Sequence, residues 1–446
     1  MFQGLKRIVY QVSDLAAAKQ WYKDLLGKDP VLDSPAGVAF VVGDAGLALT
    51  SAKCAGAHDA ENIAVAYWAV EDIDAAYKRL LDSGATPKNE ISMLFNSRLA
   101  TVIDPFGNTI GLIGKPADTG KRSVEEQPSE TAMSVASMRA LAALDEREEI
   151  RGHDSLAAIF LTEDRKIPLR DPAMRAWVLK KMVPPGVYEY MLARTAYFDH
   201  VVSEALREDV PQIVFLGAGY DSRACRFRDL IKSTKIFELD IRPTQERKKK
   251  LLCQANVVIP EQLTFVSINF NQDTLHDILL GAGFDKTKKS LFIWEGVMYY
   301  LDMRSIDDTL AFITSHAPAG SSIAFDYSAY TPDSANAYGV KELRESVQST
   351  HPGEPIRFRL PAGTIETFLI DRGLTLIDHL AAPEMEQKYL TLRDGSLAGK
   401  VPPVFCFARA AQTAGAIGSD RERAGENRQG SGTTDEEAPE GERDCS

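Results

Sequence analysis

Residues 214–227 read VFLGAGYDSRACRF. The apolar run Ile213 to Leu216 after Pro211 makes a short strand, and Gly217-Ala218-Gly219 then lets the backbone turn tightly and approach a ligand. About twenty residues on, IFELD at 236–240 makes a second strand ending in Glu238 and Asp240, where an acidic side chain accepts hydrogen bonds from a ribose diol. Together these features specify a nucleoside cofactor. A dinucleotide would want glycine at 222 and an open helix N-terminus for its pyrophosphate, whereas Ser222 stands there with Asp221 before it, and an acid repels phosphate. S-Adenosyl-L-methionine has no phosphate and carries a sulfonium and an ammonium, so acidic neighbours suit it.

Outward from this turn the chain alternates strand and helix, which predicts an α/β, doubly wound Rossmann-like sheet. A lysine-rich helix at 245–254 leads to LTFVSINFNQD, whose end places Asn269 and Phe270 to pair with and stack on an adenine. SLFIWEGVMYYLD (290–302) is a buried strand ending at Trp294-Glu295-Gly296, followed by a helix capped near Ser305; SSIAFDYSAY (321–330) is the next strand. Functional side chains on such sheets gather at the strand carboxyl ends, where Gly217, Asp240, Asn269 and Glu295 all fall. Asp221 and Arg223 are expected to pair across the turn, and Trp294 to be core.

The first 114 residues contain an internal repeat. VSDLAAAKQWYKDLLG from Val12 matches VEDIDAAYKRLLDSG from Val70, each after an apolar strand, each with an Asp at the helix N-cap and a Gly (Gly27, Gly84) at the C-cap. More β structure follows each helix, with a hairpin turn at 104–108 in the second half. Two βαβββ units of this kind resemble the vicinal oxygen chelate fold of glyoxalases, bleomycin-resistance proteins and dioxygenases. In its metal-dependent members, His, His or Gln, and Glu stand where this chain has Arg7, Val65 and Gly111. Neither Val nor Gly offers a donor to zinc, iron or manganese, so no metal is expected, and a structural or dimerising domain is favoured over an active glyoxalase. A cup binding an apolar small molecule without metal also fits.

Further motifs surround the glycine turn: TAMSVASMRA (131–140), DPAMRAWV (171–178), LARTAYFDHVV (192–202), FELD and WEGVMYYL. In this order they resemble the leucine carboxyl methyltransferase family, more closely its small-molecule and polyketide O-methyltransferase branch, over about 130–410. The resemblance implies a methyltransferase that uses S-adenosyl-L-methionine. It places Arg194, with Arg139 assisting, on the methionine carboxylate; Gly217 and Gly219 against the methionine moiety; Asp240 on the ribose; Asn269 and Phe270 around adenine; and Glu295 near the methionine end. Asn269 stands where the family usually has Asp, and its carbonyl oxygen can still accept from the adenine amine. Without the motif, Arg139 and Arg194 would read as helix-surface charges.

The resulting organisation is a chelate-fold domain at 1–114, a polar linker at 115–130, the methyltransferase domain at 131–411, and a tail at 412–446 expected to be disordered because it has almost no large apolar residue. A net charge of −12 argues against nucleic acid or an anionic membrane as partner, and no run approaches a membrane span. Five cysteines without a CxxC pair suit reduced thiols in a cytoplasmic chain. The acceptor pocket is expected between the helices at 131–205 and a lid at 327–361 that includes Tyr327, Tyr330 and Tyr338. A protein carboxyl terminus, a polyketide phenol and a small carboxylic acid all fit as methyl acceptor, and no histidine is marked as a general base. A bifunctional protein with lyase chemistry in the first domain and a non-catalytic cofactor sensor are the competing readings.

Overall fold

The computed structural model describes residues 2–12, 14–42, 44–51, 65–94, 97–103, 109–115, 128–269, 273–350 and 356–412. The hairpin turn at 104–108, Phe270, the linker from 116 to 127 and the tail from 413 lie outside the described residues.

The N-terminal strands are β1 (Phe2–Val12), β2 (Leu32–Asp33), β3 (Gly37–Val42), β4 (Ala45–Ser51), β5 (Val65–Val70), β6 (Thr86–Leu94), β7 (Ser97–Ile103) and β8 (Thr109–Gly114). They form one sheet in the order β2-β3-β4-β1-β5-β8-β7-β6, so each repeat supplies four strands and the first strands of the two repeats pair antiparallel at the centre. The helices Leu15–Leu26 and Ile73–Asp82 start at Asp14 and Asp72, whose carboxylates accept from Ala17 and Ala75 N–H at 2.9 and 3.0 Å. Gly27 is the C-cap of the first at φ +59, but Ser83 caps the second and Gly84 follows it. Each helix covers its own half-sheet, the first over Val38, Phe40 and Leu49, the second over Val70, Ala100 and Leu112.

The positions that hold metal ligands in related folds do not fit a metal here. Gly111 lies opposite Tyr67 in the β5–β8 register, and a side-chain carbon at 111 would stand 2.7 Å from the Tyr67 ring. Arg7, between Gly46 and Tyr67 in the same row, brings a permanent cation. We expect elemental analysis of the purified protein to find well under one equivalent of Zn, Fe or Mn. Gly111→Glu should not create a site, because its side chain must first displace the Tyr67 ring; one bound ion per chain would contradict both statements.

The second sheet is built from β9 (Gln212–Leu216), β10 (Lys235–Asp240), β11 (Leu263–Ser267), β12 (Ser290–Trp294), β13 (Ser322–Tyr330), β14 (Leu360–Pro361), β15 (Leu374–Leu380) and β16 (Phe405–Gln412). Its order is β11-β10-β9-β12-β13-β16-β15, parallel except for β16, which runs antiparallel between β13 and β15; β14 pairs with β13 outside this path. The strand order reverses between β9 and β12, and in open α/β sheets the crevice above that reversal is where ligands sit. β9 and β12 are buried along their whole lengths, as strands covered on both faces must be. Two apolar clusters lie on the two faces of this sheet, one around Ile213, Phe215 and the helix Val187–Arg207, the other around Val214, Phe237, Phe292 and the helix Met303–His316.

Small boundary corrections follow from caps and pairing. The first helix of this domain begins at Glu130, with Ser129 accepting from Ala132 N–H, one residue before the expected boundary. Gln412 belongs to β16 and is buried, its amide donating to Thr314 O, so it is part of the domain and not of the tail. Asp302, not Ser305, caps the helix after β12; Ser305 supplies the N–H that Asp302 accepts. Tyr327 is core on β13, hydrogen-bonded to His379, so among the described lid tyrosines only Tyr330 and Tyr338 are exposed.

Candidate functional site

The glycine turn is built as a cradle. Gly217 and Gly219 take φ values of +73° and +50°, a region where side chains with a Cβ are strained, and the Ala218 N–H donates back to Leu239 O at 2.8 Å. A Cβ at 217 would lie 2.6 Å from Val297 Cγ2, so the backbone and the loop after β12 meet directly there. Asp240, at the end of β10, fixes the turn from the other side: Oδ2 accepts the Gly219 N–H at 2.6 Å and Oδ1 the Ile241 N–H at 2.8 Å. Burial pushes this carboxyl up to about 6, while the two backbone donors pull the other way. Glu238, the other strand-end acid, is held by Lys248 at 2.5 Å within the core, which leaves Asp240 to face the crevice.

Beyond the turn, the helix Arg223–Arg226 is a single turn, and its Arg223 N–H is taken by Asp221 Oδ1 at 2.7 Å. That arrangement offers pyrophosphate no seat. The Arg223 guanidinium is fully buried and pairs with Asp221, as the sequence predicts, and also with Asp199 Oδ1 and Glu295 Oε2, each at 2.7 Å. Arg226 joins Asp199 at 2.7 Å and approaches Asp154 at 3.5 Å, and Arg139 approaches Asp154 at 3.5 Å while donating to Tyr220 O at 2.6 Å. Arg194 approaches Glu295 at 3.1 Å and Asp326 at 3.3 Å. Four guanidinium groups (Arg139, Arg194, Arg223, Arg226) thus face five carboxylates (Asp154, Asp199, Asp221, Glu295, Asp326), a net charge of −1 for the cluster. Burial makes these pairs matter, since an unpartnered buried charge costs several kcal/mol. Asp221 is pulled down to about 2: burial opposes its ionisation most strongly, but Arg223, Arg139, Lys248 and the Arg223 N–H together outweigh it.

Arg139, Arg194, Gly217, Gly219, Asp240, Asn269 and Glu295 all line one cavity of about 340 Å³ at the strand carboxyl ends. Arg139 and Arg194 are 3% and 4% exposed, so neither is a surface charge. Sequence reasoning missed Asp326, Tyr190 and Tyr299 behind the wall, Asp154 and Asp199 in the ionic cluster, and Arg357, which lines the cavity from the segment expected to be a lid. A lone acid inside the apolar strand SSIAFDYSAY was the available signal for Asp326.

The profile described as leucine carboxyl methyltransferase matches residues 132–314, and that of the glyoxalase/bleomycin resistance protein/dioxygenase superfamily matches 4–112. A Bacillus subtilis protein named as an S-adenosyl-L-methionine-dependent methyltransferase, YktD, is 33% identical over 221 residues, covering 50% of this chain and 71% of its own. The chain belongs to the leucine carboxyl methyltransferase family. It is accordingly an S-adenosyl-L-methionine-dependent methyltransferase, with a glyoxalase-like domain ahead of the methyltransferase domain. A Streptomyces avermitilis relative carrying the same kind of name is 30% identical over 191 residues, 43% of this chain and 66% of that one. Among solved structures, a DUF574 family protein from Streptomyces avermitilis is 14% identical with a TM-score of 0.42, covering 65% of this chain and 100% of that chain. No described helix is long and apolar enough to cross a membrane.

Proposed function

We propose that the protein methylates an oxygen of a small acceptor, with a carboxylate as the favoured acceptor group. The convergence of seven sequence-selected residues on one acid-rich cavity carries the cofactor assignment. S-Adenosyl-L-methionine supplies a methyl group on a sulfonium, which an acceptor oxygen takes in one in-line displacement as the sulfur leaves with the bonding pair. The cluster charge of −1 complements the cofactor's net positive charge. In this reading Asp240 accepts from the ribose hydroxyls, Arg194 meets the methionine carboxylate with Arg139 beside it, Asn269 borders the adenine and Glu295 the methionine end. In support of that role, Arg194 lines the cavity while its Nη1 donates to the Tyr299 hydroxyl and to Asp326 behind the wall. The chain's contribution to rate is then orientation and exclusion of water, an effect that can supply roughly 7–11 kcal/mol.

The preference for a carboxylate rests on what lines the cavity. Among its described lining residues there is no histidine or lysine, and Glu295 is clamped between Arg194 and Arg223. A carboxylate acceptor arrives deprotonated and needs no base, whereas a hydroxyl would lose the roughly 10²–10⁴ that a base contributes. Transfer of tritiated methyl to a panel of small carboxylic acids and phenols tests this, with the carboxylic acids as the expected acceptors; labelling of phenols alone would reverse the assignment.

Asp240 gives a pH signature. Its folded-state pKa of about 6 lies above the ordinary 3.8, so the free protein holds a proton there that the unfolded chain has released. The strain of burying the charge is therefore present above about pH 6 and relieved as pH falls toward 4. Ribose hydroxyls donate to the ionised form, so cofactor binding should expel the proton and tighten as pH rises through about 6. Calorimetric titration at pH 6 in two buffers of different ionisation heat should register that release, and Asp240→Ala should weaken binding at least tenfold, about 1.4 kcal/mol. A dissociation constant that stays flat from pH 5 to 8 would remove Asp240 from the ribose.

A further inference from the structure

Behind Arg194 sits a carboxylate that does not itself line the cavity. Asp326, on β13, is 0% exposed and is absent from the cavity lining. Its Oδ1 accepts the Gly296 N–H at 2.6 Å. Its Oδ2 accepts from the Tyr190 and Tyr299 hydroxyls at 2.5 Å each, and from Arg194 Nη1 at 3.3 Å. These donors come from the helix Val187–Arg207, the turn after β12 and the short 3-10 turn Met298–Tyr300. Those same segments carry Arg194, Glu295, Gly296 and Tyr300 to the cavity wall.

We infer that Asp326 is a positioning residue for cofactor binding, fixing Arg194 and the Glu295-Gly296 turn at the methionine end. The physical reason is that a buried carboxylate must be satisfied on both oxygens, and every donor that satisfies this one comes from a segment that also builds the wall. Gly296 adopts φ +73°, and a Cβ there would approach Arg194 Nη1 to 3.2 Å, so turn and guanidinium are in mutual contact. Were Oδ2 to lose its charge, Arg194 would keep only Glu295 as an anionic partner, and its plane would be free to turn about that contact. Burial and Asp326 both keep the two tyrosine hydroxyls protonated, so they remain donors across the working pH range.

The inference rests on the reading that Arg194 meets the methionine carboxylate, and the test separates the two. Binding of S-adenosyl-L-methionine is compared by calorimetry with binding of 5′-methylthioadenosine, which has the nucleoside and the sulfur but no amino-acid end. The parent full-length protein should prefer the complete cofactor; no preference removes the Arg194 reading and this inference with it. Given that preference, Asp326→Asn should weaken S-adenosyl-L-methionine at least tenfold and leave 5′-methylthioadenosine within threefold. A purely structural defect would weaken both alike, and that result, or no change in either, overturns the role of Asp326 while leaving Arg194 in place. If the asparagine variant does not accumulate folded, the Tyr190→Phe, Tyr299→Phe double variant is measured instead. It leaves Arg194 as the one side-chain donor to Oδ2, drawing the guanidinium off the wall, and should cut the preference at least fivefold; an unchanged preference overturns the inference.

Discussion

Arg223→Met should lower the stability of the methyltransferase domain by about 3–5 kcal/mol, the range found when one partner of a buried charge pair is removed. Methionine roughly matches the arginine in volume, so the loss comes from charge and not from a cavity. Asp221 then keeps the N–H of residue 223 as its hydrogen-bond donor, with Arg139 and Lys248 as the remaining cations acting on it, while Asp199 keeps Arg226 and Glu295 keeps Arg194. Denaturant titration of the methyltransferase transition measures it, and a loss below about 1 kcal/mol would show that the network does little for stability. The pH dependence gives a second check. In the parent, Asp221 is held near 2 against the ordinary 3.8, so its stabilising contribution is present above about pH 4 and lost as pH falls toward 2. Without the guanidinium, burial dominates and the carboxyl moves up, so the variant's deficit should shrink between pH 7 and 5.

Gly217→Ala should weaken S-adenosyl-L-methionine binding at least tenfold and more than Gly219→Ala does. At φ +73° an alanine costs roughly 1–2 kcal/mol of backbone strain, and its Cβ would overlap Val297 Cγ2 at 2.6 Å. Val297 lines the cavity, so relief pushes either the turn or that side chain into the ligand's space. Gly219 has the smaller φ of +50° and one neighbour, Ala132 Cβ, at 3.1 Å. Titration of both variants decides it; equal losses would mean that the turn tolerates the overlap and that backbone strain alone acts.

Much of this architecture was legible because its signals are local. Strand β9, the glycine turn and Asp240 follow from an apolar run, two glycines and a spaced acid, and the repeat of the first domain from a Val-x-Asp step recurring before two amphipathic helices. What escaped is non-local. Asp154 meets Arg139 and Arg226 from a loop distant in sequence, and Asp326 gathers donors from three segments, so neither partnership has a spacing to read. Tyr327 was misplaced because an aromatic a few residues before a strand's end reads equally as lid or core, and only its His379 contact and burial decide. The caps slipped by one turn at Ser305 for a related reason: Asp302 and Ser305 are acceptor and donor of the same bond, and either residue type can cap.

β16 has a bearing on how the molecule comes into being. This strand comes last among the described strands yet lies inside the sheet, and Phe407, opposite Asp326, stacks on Tyr197 while Phe405 stacks on Tyr190 at 3.8 Å. As the polypeptide leaves the ribosome, the wall that orients Arg194 therefore lacks its backing until the final strand slots between two neighbours already made. Competence to hold the nucleoside should arrive late and abruptly during synthesis, and a nascent chain stopped short of residue 405 would carry every ligand-facing side chain without the support that aims them.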